Sequence, residues 1–360
     1  MSEPSPVPDD FQPGEWLRGE GADTDIAVCT RVRLARNVQG FGFYPTMTAD
    51  EATELIRVVH RGLLAPEFPE RLRIVGLSTL DEIERNVLVE RHLISREQAS
   101  ADRPRSVAVD DSEAVAVMIN EEDHIRAQIF QSGFAVDAAC QRAERLDDAL
   151  MAAVPVAFSE EFGFLTACPT NVGTGLRVSV MLHLPGLVWA DDIDKATAAV
   201  QKISLAVRGL YGEGSRAVGD FYQISNQITL GRSETQLVSD LEALAARILD
   251  YERRLRAILF EEQKAALRDR ISRSLGLLRT ARAMPTEGAL AHLSNVRLGV
   301  HLGLLRDLPI ERLNALTVQV QKAHIQALSS EEPAPGLIDT SERDRLRASW
   351  LRQRLAERAS

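Results

Sequence analysis

Mixed α and β structure to about residue 255, then helices alone to residue 360, is the organisation this chain's patterning predicts. Three features carry it. Short apolar and β-branched runs at residues 26–38, 115–119 and 221–230 are bounded by turn-forming residues and suit strands. After Gly231 the period changes, and Leu241, Leu244, Ile248, Tyr251, Leu255 and Ile258 recur at helical spacing. Beyond them only helix-like segments follow, broken near Pro285, Pro309 and the pair Pro333 and Pro335.

Along the chain, residues 1–24 are rich in Pro, Gly, Asp and Glu and read as a flexible arm. Thr48 with Glu51, Thr79 with Glu82 and Ser233 with Gln236 each have the spacing of a capping box, in which a hydroxyl and a carboxylate or amide satisfy the free N–H groups of a helix start. Residues 146–153 read as helix. Residues 164–184 alternate loop and strand around a Gly-rich turn. The expected division is therefore an arm at 1–24, a mixed α and β body at 25–255 and a helical domain at 256–360.

Composition bounds the function. The chain is 45% hydrophobic and 26% charged, which suits a globular protein with a sizeable core. The first residues have neither a basic start nor an apolar run, and no apolar stretch approaches the ~18 residues of a membrane helix. Cys29, Cys140 and Cys168 are an odd number, read as reduced thiols in the cytoplasm. A net charge of −10 argues against direct nucleic-acid binding. Residues 261–360 hold 16 basic against 12 acidic residues, so the acidity lies in the first part of the chain. Lysine is nearly absent, at positions 195, 202, 264 and 322 only, so a phosphate site here must use arginine or backbone.

No phosphate-binding P-loop, protein-kinase signature, dinucleotide fingerprint or zinc spacing is present. Three other strings stand out: Asn120-Glu121-Glu122-Asp123-His124-Ile125-Arg126, Cys168-Pro169-Thr170-Asn171-Val172-Gly173-Thr174-Gly175-Leu176-Arg177, and Arg208-Gly209-Leu210-Tyr211-Gly212-Glu213. Alone, the first is a solvated acidic turn, the second a polar loop and Cys168 a small buried hydrophobe. Three carboxylates after an apolar strand are costly unless they meet a cation or water.

In this order the three strings resemble the phosphagen (guanidino) kinases, over roughly residues 26–255. The resemblance implies a guanidino-kinase catalytic domain, an antiparallel sheet flanked by helices, with ATP and Mg²⁺ as cofactors and no dedicated protein metal site. By matched position it implies that Arg31, Arg33, Arg126, Arg177 and Arg208 hold the ATP phosphates. Thr30, Val32, His92, Val178, Ser179, Val180, Met181, Gly209, Leu210, Tyr211, Gly212 and Glu213 would complete the nucleotide contacts. Glu122 and Glu213 would grip the acceptor guanidinium, with Glu122 as base and Cys168 beside it. The chemistry is consistent: arginine forks match phosphate oxygens, and phosphoryl transfer depends on alignment and charge stabilisation. A guanidinium has a pKa above about 12 and must be fixed and deprotonated as it attacks. The string at 29–33 starts with Cys-Thr rather than Ser-Ser, which bears on fine nucleotide contacts alone.

Family members acting on free guanidines carry a helical N-terminal domain of about a hundred residues. Here the first motif begins at Cys29 and helices follow the body instead. This layout resembles the bacterial branch of the family that phosphorylates arginine within proteins and marks them for a Clp-type protease. Arg343-Asp344-Arg345-Leu346-Arg347-Ala348 resembles that branch's phosphoarginine-sensing motif, implying an allosteric site at Arg343, Asp344, Arg347 and Ala348. Arg343 and Arg347 are one helical turn apart and suited to one phosphate. The expected partners are proteins with exposed arginine, an activator protein, the protease and further copies of the chain, as a homodimer or larger assembly. A kinase for free arginine and a non-catalytic phosphoarginine-binding adaptor are the alternatives.

Overall fold

A computed structural model describes residues 12–100, 102–201, 205–209, 218–329 and 338–356. Strands β1 (Ala27–Arg36), β2 (Leu72–Gly76), β3 (Ser106–Asp110), β4 (Val115–Ile119), β5 (Ile125–Ser132), β8 (Leu176–His183), β9 (Leu205–Gly209) and β10 (Phe221–Asn226) form one eight-stranded sheet. Its order is β2-β3-β4-β5-β1-β8-β10-β9, and every neighbouring pair is antiparallel. A two-stranded hairpin, β6 (Phe158–Ser159) and β7 (Gly163–Phe164), stands apart from it.

Strand alternation sends successive side chains to opposite faces of the sheet. One face is apolar. Val32, Leu34, Val117, Ile119, Ala127, Ile129, Val178, Val180 and Ile224 pack there against α1 (Ala49–Leu63), α4 (Val136–Ala153) and α7 (Glu234–Glu262). Ala52, Leu55 and Val59 of α1, Ala139, Ala143 and Leu146 of α4, and Leu241, Ala245 and Ile248 of α7 are the facing residues. Burying one such aliphatic side chain stabilises the fold by about 1.5–3 kcal/mol, so this layer fixes the sheet and hence what the other face presents. Short helices α2 (Glu82–Glu90), α3 (Arg96–Ala99), α5 (Pro185–Trp189) and α6 (Ile193–Gln201) fill the connections. Helices α8 (Lys264–Thr280), α9 (Thr286–His301), α10 (Ile310–Gln319), α11 (Lys322–Ser329) and α12 (Thr340–Ala356) form the helical domain. Its own core includes Leu278, Leu290, Leu293, Leu313, Leu316 and Leu351. Mixed structure followed by helices is thus the observed architecture.

The capping boxes at Thr48 and Ser233 form as expected. The third does not sit at Thr79. Asp81 caps α2 with Glu84, and the Thr79 hydroxyl donates instead to the Gly76 carbonyl. The last central strand ends at Asn226, not at 230. There the Asn226 side chain takes over the ladder, accepting from the Val178 N–H at 2.8 Å and donating to the Leu176 carbonyl at 3.0 Å.

Residues 12–24 do not form an arm. Trp16 and Leu17 are buried with Val28, Phe130, Met181, Phe221 and Val318. The Glu15 carboxylate accepts from Gln131 Nε2 and the Ser132 N–H. An acidic, Pro-rich composition predicts solvation, but two large apolar side chains suffice to tie the segment down. The expected boundary at 255 falls inside the unbroken helix α7, which runs to Glu262.

Candidate active site

The polar face of the sheet is built by register. Arg31 lies opposite Phe130 and Ser179, Arg33 opposite Gln128 and Arg177, and Ala35 opposite Arg126. Directly opposed residues share a face. Arg31, Arg33, Arg126 and Arg177 therefore project together from three adjacent strands. Arg208 joins them through Gln223, which opposes both Arg208 and Met181. Five guanidiniums on one face leave like charges close together with water partly excluded. Burial, then neighbouring guanidiniums, lower the Arg31 pKa to about 10, which still leaves it charged at neutral pH. Arg33 is pushed down further for the same reasons, and its buried Nε has no hydrogen-bond partner among the described residues. Arg31 is aimed by Gln223, whose Oε1 accepts from its Nη2 at 2.7 Å.

Arg31, Arg33, Arg126, Gln128 and His92 line a cavity of about 930 Å³. His92 has a positive φ of 62° and sets its ring edge against Trp16. Burial, aided by Arg31, pushes its pKa down to about 3, so it is a neutral imidazole. Ser179 and Met181 share the arginine face. Val32, Val178 and Val180 do not. Their side chains lie in the apolar core on the other face, and Thr30 is likewise buried there, its hydroxyl bonded to the Gly133 carbonyl and the Ala135 N–H. Alternation forbids neighbours in a strand from facing the same side.

The acidic string is the turn between β4 and β5, and its three carboxylates part company. Asp123 is fully buried and accepts from Asn37 Nδ2 and the Ala167 N–H, both at 2.7 Å. Glu121, also buried, pairs with Arg126 Nη1 at 2.5 Å. Glu122 alone is open, with its side chain 44% exposed, Asn171 Nδ2 at 3.0 Å and Arg126 Nη1 at 3.5 Å. Its pKa is raised by burial, with Glu121 and Asp123 adding and Arg126 and Asn171 opposing. His124 locks the turn from behind. Its Nδ1 accepts from the Val38 N–H, which leaves Nε2 as the donor to the Gly42 carbonyl.

The Gly-rich string is a loop over residues 168–175 beside Glu122, tied to it by Asn171. Cys168 Sγ lies 3.1 Å from Thr170 Oγ1. The Thr229 hydroxyl engages the Thr170 and Val172 carbonyls. Arg36 holds the loop's far end, donating to the Thr174 carbonyl at 3.0 Å while forked onto Asp147 and stacked under Phe164. Gly173 has φ 108°, and an added Cβ would sit 2.5 Å from the Thr229 carbonyl oxygen. Gly173→Ala is therefore expected to cost about 1–3 kcal/mol, read as a lower denaturation midpoint, and to cut turnover by displacing Asn171.

Leu210, Tyr211, Gly212 and Glu213 lie outside the described residues. Gly209 ends β9. In the helical domain Arg343, Asp344 and Arg347 line the same cavity. Arg343 donates to the Ile338 carbonyl and to Thr340 Oγ1. Arg347 is 1% exposed and braces three segments, donating to the Val320 carbonyl, the Met284 carbonyl and Asp344 Oδ1. Ala348 is buried in the helical core. Sequence reading missed Gln223, Gln128 and Asn37, whose partners lie far away in the chain and leave no local signal. Asn171 lies within the Gly-rich string, where residue type alone gives it no role.

The ATP:guanido phosphotransferase C-terminal catalytic domain matches residues 57–255. That match takes in the acidic turn and the strands that carry Arg126, Arg177 and Arg208, so this part of the polar face lies within an ATP:guanido phosphotransferase catalytic domain. The McsB protein-arginine kinase C-terminal domain matches residues 264–360. The protein-arginine kinase of Halothermothrix orenii is 41% identical over 340 residues, spanning 94% of this chain and 96% of its own. That of Moorella thermoacetica is 41% identical over 345 residues, spanning 95% and 97%. A lombricine kinase crystal structure superposes with a TM-score of 0.58 at 27% identity, over 69% of this chain and 74% of its own. The chain belongs to the protein-arginine kinases of the ATP:guanido phosphotransferase family.

Proposed function

We propose that the chain moves the γ-phosphoryl group of ATP onto an arginine guanidinium in a protein, with Glu122 accepting the proton. The N–P bond forms as the bond from the γ-phosphorus to the bridging oxygen breaks, and ADP leaves. The guanidinium proton goes to the Glu122 carboxylate. The observation that carries this reading is the separation of roles in the acidic turn: Glu121 and Asp123 are themselves buried and taken up by their partners, and Glu122 is open. Asn171 and Arg126 orient its carboxylate. The arginine face supplies fixed positive charge for the phosphates, where preorganised charge is most effective. Glu213 is proposed as the second carboxylate on the guanidinium and Cys168 as a neighbouring contact.

The residues suit Mg²⁺ carried by the nucleotide. The face is cationic, which suits a metal that arrives bound to the phosphates. Mg²⁺ would supply charge neutralisation between the phosphates. The proposal extends to Arg343, Asp344, Arg347 and Ala348 as a phosphoarginine-sensing pocket, and to delivery of marked proteins to a Clp-type protease. The helical domain is proposed to mediate self-association. No helix among the described residues is long and apolar enough to cross a membrane, and a cytoplasmic location is part of the same reading.

The test is labelled ATP offered with free arginine or with an unstructured Arg-rich protein. Acid-labile label on the protein is expected; label confined to the free amino acid overturns the choice of acceptor. The pH profile gives a second check. Glu122 must be ionised to accept a proton, and its pKa is raised. kcat/KM should therefore fall as pH drops through a value above the ordinary glutamate range, since that ratio reports free-enzyme groups. An acid limb at the ordinary value would remove Glu122 as base.

A further inference from the structure

The acceptor loop is sandwiched between two segments that expose large apolar side chains. On one side is the β6–β7 hairpin. The Phe164 N–H donates to the Gly173 carbonyl at 2.8 Å, and Phe158 and Phe162 are 59% and 47% exposed. On the other side, the Thr174 N–H donates to the Thr229 carbonyl, and Ile228 and Leu230 are 46% and 50% exposed. Folded proteins seldom leave such groups together in water without a use. The hairpin tip between the two phenylalanines carries exposed Glu160 and Glu161. Ser159 holds that tip in shape, its Oγ accepting from the Glu161 and Phe162 N–H groups.

We propose that the hairpin, together with Ile228 and Leu230, docks the polypeptide on either side of the target arginine. It would favour extended segments with apolar and basic residues near that arginine. This rests on the phosphotransfer reading above and adds what that reading leaves open, namely which arginines are chosen. Three points single out this occupant. The surface is continuous with the acceptor site, because the loop bonded to Glu122 through Asn171 is the loop both segments hold. Residues two to four positions from an arginine in an extended chain lie roughly 7–14 Å away, so an arginine at Glu122 must lay its neighbours on the surrounding rim. The acidic tip complements a segment that is itself cationic. Aromatic side chains flanked by carboxylates suit a mobile, unfolded chain, whereas a folded domain buries the residues they would grip.

The test uses the full-length protein and three acceptors: N-acetyl-arginine amide, and two equal-length unstructured peptides with one arginine flanked by phenylalanine and lysine or by glycine and serine. The wild type is expected to prefer the first peptide. Phe158→Ser/Phe162→Ser should raise KM for that peptide about tenfold or more, a loss of roughly 1.4 kcal/mol, leaving N-acetyl-arginine amide turnover and nucleotide affinity unchanged. Ile228→Ser/Leu230→Ser is an independent pair with the same expected pattern. Equal loss on all three acceptors, or equal treatment of the two peptides by the wild type, overturns the docking role. Loss of self-association in light scattering with all acceptors affected alike also overturns it and makes the surface a contact between copies. Failure of the wild type to label any acceptor would instead strike the phosphotransfer reading beneath it, and is seen before any variant is made.

Discussion

Glu122→Gln is expected to lower kcat by about 10²–10⁴-fold, the range for losing a general base, with nucleotide affinity preserved. The substitution keeps the shape of the side chain and the contact with Asn171, so positioning survives while proton acceptance does not. Glu121→Gln gives the contrast. Glu121 is buried against Arg126, and its carboxylate is held below the ordinary range by Arg126, against the opposing effect of burial. Removing its charge should disturb Arg126, and hence ATP affinity, more than turnover. Glu122→Gln should also leave thermal stability at neutral pH equal to or above that of the wild type. A raised pKa means the ionised side chain is disfavoured in the folded protein, so a neutral substitute relieves it, and the difference should vanish on acidification as the wild-type carboxyl is protonated. Unchanged turnover in Glu122→Gln would remove the assigned base.

Asp147→Ala is expected to destabilise the protein by about 3–5 kcal/mol, the usual consequence of leaving a buried charge without its partner. Arg36 is 1% exposed and forked onto Asp147, with Nε to Oδ1 at 3.0 Å and Nη2 to Oδ2 at 2.6 Å. Without Asp147 its guanidinium retains, among the described residues, the Ala35 and Thr174 carbonyls, the Phe164 ring and the more distant charge of Glu234. Arg36→Met/Asp147→Leu should be less damaging than Asp147→Ala, because it removes both charges at once. Urea denaturation of the three proteins measures this directly. If the double variant is the less stable, the Arg36 contacts to Thr174 and Phe164 outweigh the electrostatics, and the pair is chiefly a loop anchor.

Much of the placement of these side chains is legible in the sequence. Arg31 and Arg33 alternate with apolar residues, so a strand must place both on one face, and the strings around Arg126, Arg177 and Arg208 sit where neighbouring strands align them. The helix starts at Thr48 and Ser233 were legible because capping is local, set within four residues. What was not legible depends on distant partners. Three adjacent carboxylates look alike in sequence; Asn37, Ala167 and Arg126 distinguish them only once folded. Arg343 and Arg347 do lie one turn apart, but their engagement with Ile338, Val320 and Met284 depends on how the helical domain packs. The core positions of Val178 and Val180 followed from alternation around Arg177, yet a contiguous string invites treating every member as a contact.

Family resemblance divides this chain near residue 255, but the molecule cannot be cut there. Glu252 is fully buried; it holds the start of α5 by accepting from the Gly186 and Leu187 N–H groups, and Arg256 neutralises it at 2.6 Å. Arg256 also donates to the Asp25 and His183 carbonyls, beside the ends of two strands that carry the clustered arginines of the polar face. A fragment ending at residue 255 would keep the carboxylate and lose its counterion, together with a splint across those strand ends. Expression of such a fragment should give an insoluble or loosely packed product, whereas one that retains α7 through Glu262 keeps the pair intact.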